Sequence, residues 1–357
     1  MRVLFYNDYF HPLGGAETYL YATASALKAR GVDVLTVAFD RSTSLRGCHW
    51  LSSFWTNRFR HSRPITALTR AIETFQPDII HVNKNYLYTR SINAVLAKAG
   101  IPLVQTIHDY YALSDHWNLK FKLRQWLFGS SIRPANYIIP SRCLFSRIKT
   151  SQPGRFTYIP HFVDSDLWYY KCPDPTINNR LLFVGRLERS KGIFTFLEAM
   201  RMLKQQVPQL TLTCIGDGMH KEALLRLIGQ YELQHCILLT GHQCWQAVRQ
   251  YFHNSTILIY PSLKPELFGL AGIEGQSCGI PVIASDVGGV NEWCKHNQTG
   301  ILVPPDNLEV LVSEIMRLLR NPELRMELSQ RARQAVRLHF NEKNAIDQLL
   351  TLYTSLL

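Results

Sequence analysis

Short apolar runs alternate with helical stretches along the whole chain, and this alternation limits the fold more than any other feature. Residues 2–6 (RVLFY) form a compact apolar run, followed by Gly14-Gly15 and a helical pattern from Ala16 to Arg30. Gly31 suits the position just past a helix end, and residues 32–38 (VDVLTVA) supply the next strand. Further strands are expected at 78–82, 102–107, 137–140 and 157–160, with helical stretches between them. Residues 161–179 are rich in Asp, Pro, Asn and Tyr and read as a linker. A second round opens at 181–184 and continues through 210–215, 236–240, 256–260, 281–284 and 300–303. Its helices are expected near 191–205, 219–230, 270–278, 306–319 and 322–337, and the tail 341–357 is helical with no strand after it. Alternating strands and helices are the pattern of a parallel, doubly wound sheet. Two rounds predict an α/β protein of two Rossmann-like domains, 1–165 and 166–340, facing a central cleft. Ligands of such folds bind beyond the carboxyl ends of the strands.

Composition agrees with an ordinary globular protein. Hydrophobic residues make up 46% of the 357, enough for two cores, which excludes a disordered or fibrous chain. No apolar run approaches the ~18 residues of a membrane span. Asn7 and Asp8 follow only four apolar residues, too early for a signal peptide. The 8 cysteines are scattered without a CxxC or a paired Cys/His spacing. That predicts reduced thiols in a cytoplasmic protein and argues against a zinc site.

The net charge of +12 is unevenly placed. Residues 1–165 hold 20 Lys/Arg against 9 Asp/Glu, a net of +11, while 166–357 hold 19 against 18, a net of +1. The excess gathers in two stretches: Trp55, Arg58, Phe59, Arg60, His61 and Arg63, then Trp117, Lys120, Phe121, Lys122, Leu123, Arg124, Trp126, Leu127 and Phe128. The second interleaves cations with bulky apolar residues, as interfacial helices do. It is either a membrane-facing segment or a core-facing helix with a basic outer side. There is no nucleic-acid motif, and charge alone explains only non-specific binding.

Four places have the residue types for chemistry. Gly14-Gly15 lies between the first strand and the first helix, as a tight turn or as a place where backbone approaches a phosphate. His108-Asp109 ends the strand 102–107; the histidine is either satisfied by a backbone partner or part of a site. Arg186 ends the first strand of the second round, and Lys191 opens the helix behind it. They are ordinary surface cations or a grip for a diphosphate, Arg as a fork and Lys as a point charge. The strongest signal is 261–292, PSLKPELFGLAGIEGQSCGIPVIASDVGGVNE. Glu266 stands just before a helix N-terminus and Glu274 about a turn inside it, with Phe268-Gly269-Leu270-Ala271 between them. The first-turn amides lack partners within the helix and suit an anion. A carboxylate can hold two hydroxyls at once, as Rossmann domains hold a ribose. The alternative is two acids placed there by the helix dipole alone.

Together these residues resemble the retaining glycosyltransferases of family 4, which have the glycosyltransferase-B fold. The resemblance covers nearly the whole chain. Its most specific element is the Glu-x7-Glu signature enclosing FGL, followed by GIPVIASDVGGVNE. The glycine pair at 14–15, IHD at 107–109 and GRLERSKG at 185–192 precede it in order. Two departures stand out: His161-Phe162 occupies the place of a frequent Asn-Gly pair before Val163-Asp164, and Asn136 stands for a frequent Asp. Cys278-Gly279 keeps the small-residue turn.

The resemblance implies that the C-terminal domain binds a nucleotide-diphosphate sugar and the N-terminal domain an acceptor, with the helix 341–357 packing back on the latter. Arg186 and Lys191 would bind the diphosphate and replace a metal, so neither a metal nor another cofactor is expected. Glu274 would hold the ribose and Glu266 the donor sugar. Amides around Phe268, Gly269, Leu270 and Ala271 would hold phosphate, with Gly14 and Gly15 opposite. His108 would position the donor sugar, and the leaving phosphate would take the acceptor's proton on the face of attack. The expected function is transfer of a hexosyl-type sugar from a UDP- or GDP-sugar to a glycan or lipid-linked acceptor in bacterial surface polysaccharide synthesis. The expected place is the cytoplasm, peripheral on the inner membrane face through the basic N-terminal domain. The alternatives are the same chemistry on a small soluble acceptor, and a non-catalytic protein of the same fold.

Overall fold

The computed structural model describes residues 1–8, 14–38, 58–59, 64–84, 89–108, 136–147, 154–171 and 178–357. Their contacts divide the chain into two units: Met1–His161 with Glu342–Leu357, and Phe162–Asn341.

Unit 1 contains strands β1 (Arg2–Asn7), β2 (Asp33–Ala38), β3 (Arg58–Phe59), β4 (Ile79–Lys84), β5 (Leu103–Thr106), β6 (Asn136–Ile139) and β7 (Arg155–Tyr158). They form one parallel sheet in the order β3-β2-β1-β4-β5-β6-β7. Helices α1 (Gly15–Ala29), α2 (Pro64–Phe75) and α3 (Thr89–Ala99) connect them. Parallel strands require such crossovers and are covered on both faces, so β1 and β4 are buried along nearly their whole length. Leu4, Tyr6, Ile80 and Val82 pack under Leu68 and Ala71 of α2 and Ile92 and Leu96 of α3.

Unit 2 repeats the plan with β8 (Arg180–Val184), β9 (Thr211–Ile215), β10 (Ile237–Gly241), β11 (Ile257–Tyr260), β12 (Val282–Ser285) and β13 (Ile301–Val303). The order is β10-β9-β8-β11-β12-β13, again parallel. Its helices are α4 (Ile193–Gln206), α5 (Lys221–Gln230), α6 (Trp245–His253), α7 (Leu270–Cys278), α8 (Val290–Trp293), α9 (Leu308–Arg320) and α10 (Pro322–His339). Alternation along β8 splits the core in two. Leu181 and Phe183 join Phe196 and Met200 of α4 on one face. Leu182 joins Phe252, Ile273 and Trp293 on the other.

The last helix, α11 (Glu342–Thr354), belongs to unit 1. Arg30 at the end of α1 pairs with Asp347 at 2.6 Å. The Tyr353 hydroxyl bonds Nδ1 of His81, whose Nε2 lies 2.7 Å from Thr106 Oγ1. Burial lowers the His81 pKa to about 3, so this imidazole is neutral at pH 7 and joins β4, β5 and α11 without a charge.

Two sequence expectations change, and a third falls mostly outside the described residues. The segment read as a linker is not loose where it is described, 162–171. Trp168 is buried, its carbonyl accepts from Ser277 Oγ at 2.7 Å, and Arg249 Nη1 donates to Leu167 O at 2.6 Å. Val163 also pairs with Asn341, so the chain joins unit 2 from residue 162. Its aromatic residues, not its polar ones, decide its place. The strand expected at 157–160 runs instead over Arg155–Tyr158. Of the basic stretches, only Arg58–Phe59 is described, as β3; Trp55, Arg60, His61, Arg63 and all of 117–128 lie outside the described residues, as does Asp109. Among the described residues, no helix is long and apolar enough to cross a bilayer.

Candidate functional site

In unit 2 the strand order reverses direction between β8 and β11, the switch point where doubly wound sheets open a crevice. The segments leaving these two strands carry four of the candidate side chains. After β8 the backbone turns through Gly185-Arg186, forms a short 3₁₀ turn at Arg189–Lys191 and enters α4. Gly192 makes that entry possible. Its φ is +69°, and a Cβ there would lie 1.7 Å from the carbonyl oxygen of Pro261, which follows β11. The two segments therefore run close enough for Lys191 to reach Glu266.

Lys191 Nζ lies 2.6 Å from Glu266 Oε1, and Ser262 Oγ donates to the same oxygen at 2.6 Å. The Tyr260 hydroxyl is a third partner; burial first, then Glu266, pushes its pKa well above 10. Both members of the ion pair are mostly covered, 19% and 14% exposed at the side chain. The backbone of Glu266 is fixed as well, because its carbonyl accepts from Gly289 N at 2.7 Å. Arg186 differs. Its side chain is 60% exposed and pairs with Glu188 at 2.8 Å. An exposed pair contributes about 0–1 kcal/mol, so Arg186 can exchange Glu188 for an anionic ligand at little cost.

Gly269 caps α7 with φ +97°, and a Cβ there would crowd the Tyr260 hydroxyl at 3.0 Å. Phe268 is buried and its carbonyl accepts from Trp293 Nε1 at 2.5 Å, which pins the loop before the helix. The amides of Leu270 and Ala271 open α7, where no helical acceptor exists for them. Glu274 lies one turn inside α7, half-buried, and burial raises its pKa from 4.5 to about 7.

Unit 1 has the corresponding reversal between β1 and β4, and a second polar cluster gathers there. Asn83 at the end of β4 donates to Asn7 Oδ1 at the end of β1 (2.9 Å) and to the Ala16 carbonyl in α1 (3.2 Å). His108, just past β5, lies 2.7 Å from Asn83 Oδ1 through Nε2. Its ring stacks on His161 at 5.3 Å and meets Tyr19 edge-on at 5.8 Å. Glu17 of α1 is buried and paired with Lys84 at 3.3 Å. Burial, then His161, His81 and Lys84, lower the His108 pKa well below 6.5, so the ring is uncharged at neutral pH.

The structure thus brings Arg186, Lys191, Glu266, Phe268, Gly269, Leu270, Ala271 and Glu274 to the β8–β11 end of unit 2. Gly14, Gly15 and His108 lie at the β1–β4–β5 end of unit 1. Gly14 itself has extended backbone (φ −179°) ahead of α1, and among the described residues a Cβ there would meet Glu17 Oε2 at 3.8 Å. Sequence reasoning missed Tyr260 and Ser262 around Glu266, and Asn83, Glu17 and Lys84 around His108. Tyr260 and Ser262 bracket Pro261 at the start of the strongest motif, a signal that was available. Asn83 carries no such signal, because its role depends on which strands are neighbours.

Comparison with known proteins adds to this geometry. The profile of glycosyl transferases group 1 matches residues 173–335, and that of glycosyltransferase family 4 matches residues 13–167. Glycogen synthase of Mycobacterium tuberculosis (strain H37Rv) is 24% identical over 384 aligned positions, covering 96% of this chain and 91% of that protein. Sucrose-phosphate synthase of Thermosynechococcus elongatus superposes with a TM-score of 0.81 at 22% identity, covering 99% of this chain and 98% of that one. Anabaena Alr3699/HepE, solved with UDP and glucose, gives 0.81 at 21% identity over all of both chains. At that level of identity the likeness shows the fold, the glycosyltransferase-B fold.

The Glu274 environment makes stability depend on pH. The folded carboxyl holds its proton up to about 7, whereas the unfolded one releases it near 4.5. The unliganded protein therefore loses stability from this group as pH rises from about 4.5 to 7. Glu274→Gln removes that loss. Its melting temperature relative to the parent is expected to be roughly 5 °C higher at pH 8 than at pH 5. A difference independent of pH would refute the buried, proton-holding carboxyl.

Proposed function

Because the chain belongs to glycosyltransferase family 4 and uses a nucleotide sugar, we propose that it is a retaining, metal-independent hexosyltransferase with its donor site at the β8–β11 end of unit 2. The observation that carries this assignment is the Lys191–Glu266 pair, 2.6 Å apart and joined by Ser262 and Tyr260. It sets a cation and a hydroxyl-binding carboxylate side by side, as a phosphate and its attached sugar require.

The roles follow from the chemistry of each group. The exposed guanidinium of Arg186 grips the diphosphate, and Lys191 places a second positive charge on it. As the sugar–phosphate bond breaks, negative charge grows on the leaving phosphate, and fixed cations there lower the barrier. These two cations do the work that a metal does elsewhere. The first-turn amides of α7, Phe268 to Ala271, add hydrogen bonds to phosphate, and the positive end of the helix favours it. Glu266 holds donor-sugar hydroxyls. Glu274 takes the ribose diol, which binds best to the ionised carboxylate. In unit 1, Gly14 and Gly15 offer backbone to phosphate, and His108 bonds a donor-sugar hydroxyl without acting as a base. The acceptor hydroxyl gives its proton to the departing phosphate oxygen and bonds to the sugar carbon on the face that phosphate leaves, so configuration is retained.

Anabaena HepE, in complex with UDP and glucose, supports a uridine donor by likeness of fold only. For the acceptor we infer a glycan or lipid-linked glycan of bacterial surface polysaccharide synthesis, reached at an anionic membrane surface. The support is the net charge of +11 on residues 1–165. Basic residues near anionic lipid contribute about 1 kcal/mol each.

Two experiments check these assignments. Glu266→Gln is expected to lower turnover on the order of 1,000-fold, and Arg186→Lys roughly 10- to 100-fold, because the planar fork is lost. Glu274→Ala weakens donor binding with a smaller effect on turnover. Parental activity in all three would remove the donor site from unit 2. Flotation with vesicles containing anionic lipid is expected to carry the protein upward at low salt and to fail at high salt. No flotation at any salt concentration would leave a soluble acceptor.

A further inference from the structure

We infer that Asn83 is a positioning residue that locks the His108 imidazole with its proton on Nε2, so that Nδ1 is the hydrogen-bond acceptor offered to a substrate hydroxyl. The inference rests on the proposed sugar contact of His108, and it fixes the direction of that hydrogen bond.

Hydrogen-bond bookkeeping at Asn83 leaves one solution. Its Nδ2 lies 3.2 Å from the Ala16 carbonyl, which can only accept. That atom must therefore be the amide nitrogen, and the atom facing His108 must be the carbonyl oxygen. Oδ1 lies 2.7 Å from His108 Nε2, so Nε2 carries a hydrogen and donates it. A neutral imidazole with its proton on Nε2 has a lone pair on Nδ1. The second amide hydrogen is used on Asn7 Oδ1 at 2.9 Å, which ties the Asn83 side chain to β1 as well as α1. Asn83 is 3% exposed and has no freedom to flip.

Burial first, then the groups around it, keep His108 uncharged. His161 stacks on one side with its rings at 21°, Tyr19 of α1 presents an edge, and His81 and Lys84 of β4 lie close enough to disfavour a second proton. Of the carboxylates at this end, Glu17 is taken by Lys84 and Asp8 accepts from the Tyr6 hydroxyl. The group facing Nε2 at position 83 is an amide rather than a carboxylate, so it gives an imidazolium no ion pair. A neutral ring with a fixed lone pair orients a hydroxyl without adding a charge of its own.

The test reads the tautomer directly. In ¹⁵N-histidine-labelled protein, His108 is assigned by its loss in His108→Asn, and long-range ¹H–¹⁵N spectra are recorded from pH 5 to 8 without substrate. The expected pattern is the neutral Nε2–H form throughout. Asn83→Asp is expected to turn His108 into imidazolium at pH 7, because a carboxylate now faces Nε2. Asn83→Leu is expected to lower kcat on the order of 100-fold through misplacement of the ring, with nucleoside diphosphate binding unchanged. A parental His108 protonated on Nδ1, or charged at pH 7, would overturn the inference even if Asn83→Leu fails to fold. So would parental kcat in folded Asn83→Leu. Failure of the donor assignment shows separately, as parental protein that binds no nucleoside diphosphate.

Discussion

The adjacency of β8 and β11, first and fourth strands of unit 2, is the constraint on which the candidate site depends. Parallel strands send all their outgoing segments to one end, and the reversal of strand order keeps crossover helices from closing that end. Arg186 and Lys191 arrive from β8, Ser262 and Glu266 from β11, and the missing side chain of Gly192 lets the two segments touch. Everything else at this end reinforces the same geometry. Gly269 makes room for the Tyr260 hydroxyl, Trp293 holds the Phe268 carbonyl, and Gly289 holds the Glu266 carbonyl. The pair β1–β4 repeats the arrangement in unit 1, where Asn7 and Asn83 meet across the reversal.

The two ends differ in electrical character. Unit 2 presents an exposed arginine, a mostly covered lysine and carboxylates, one of which holds its proton to about pH 7. Such a set suits a ligand that is anionic at one part and rich in hydroxyls at another. Unit 1 presents amides and an uncharged histidine stack, with the nearby Glu17 and Lys84 paired to each other. That set is suited to orienting hydroxyls by hydrogen bonds.

The fold was legible because parallel strands buried on both faces are written as local apolar runs. Residues 2–6, 181–184 and 256–260 are buried strands, and Gly31 follows α1 with positive φ, as its position suggested. The unit 2 site was legible for the same reason: Arg186, Lys191, Glu266 and Glu274 each sit within a few residues of a strand or helix end that could be read locally. The unit 1 cluster was not. Asn83 and Asn7 are separated by 76 positions, and nothing in either neighbourhood says that their strands are neighbours. His161 stood out only as a departure from a family pattern, yet it stacks on His108. The segment 162–171 was misread because polar turn residues outweighed Val163 and Trp168, whose buried side chains dock it on unit 2.

The central claim is that unit 2 holds a nucleoside diphosphate through Arg186, Lys191 and the start of α7. A thermal-shift panel of UDP, GDP, ADP, UDP-glucose, UDP-N-acetylglucosamine, UDP-galactose and GDP-mannose tests it most directly. A ligand bound only by the folded state adds about 2.7 kcal/mol at 100-fold excess over its dissociation constant. The expected result is a clear upward shift with diphosphates of one base, lost when Lys191 is replaced by Ala. A folded protein whose melting temperature no member of the panel moves would contradict the claim.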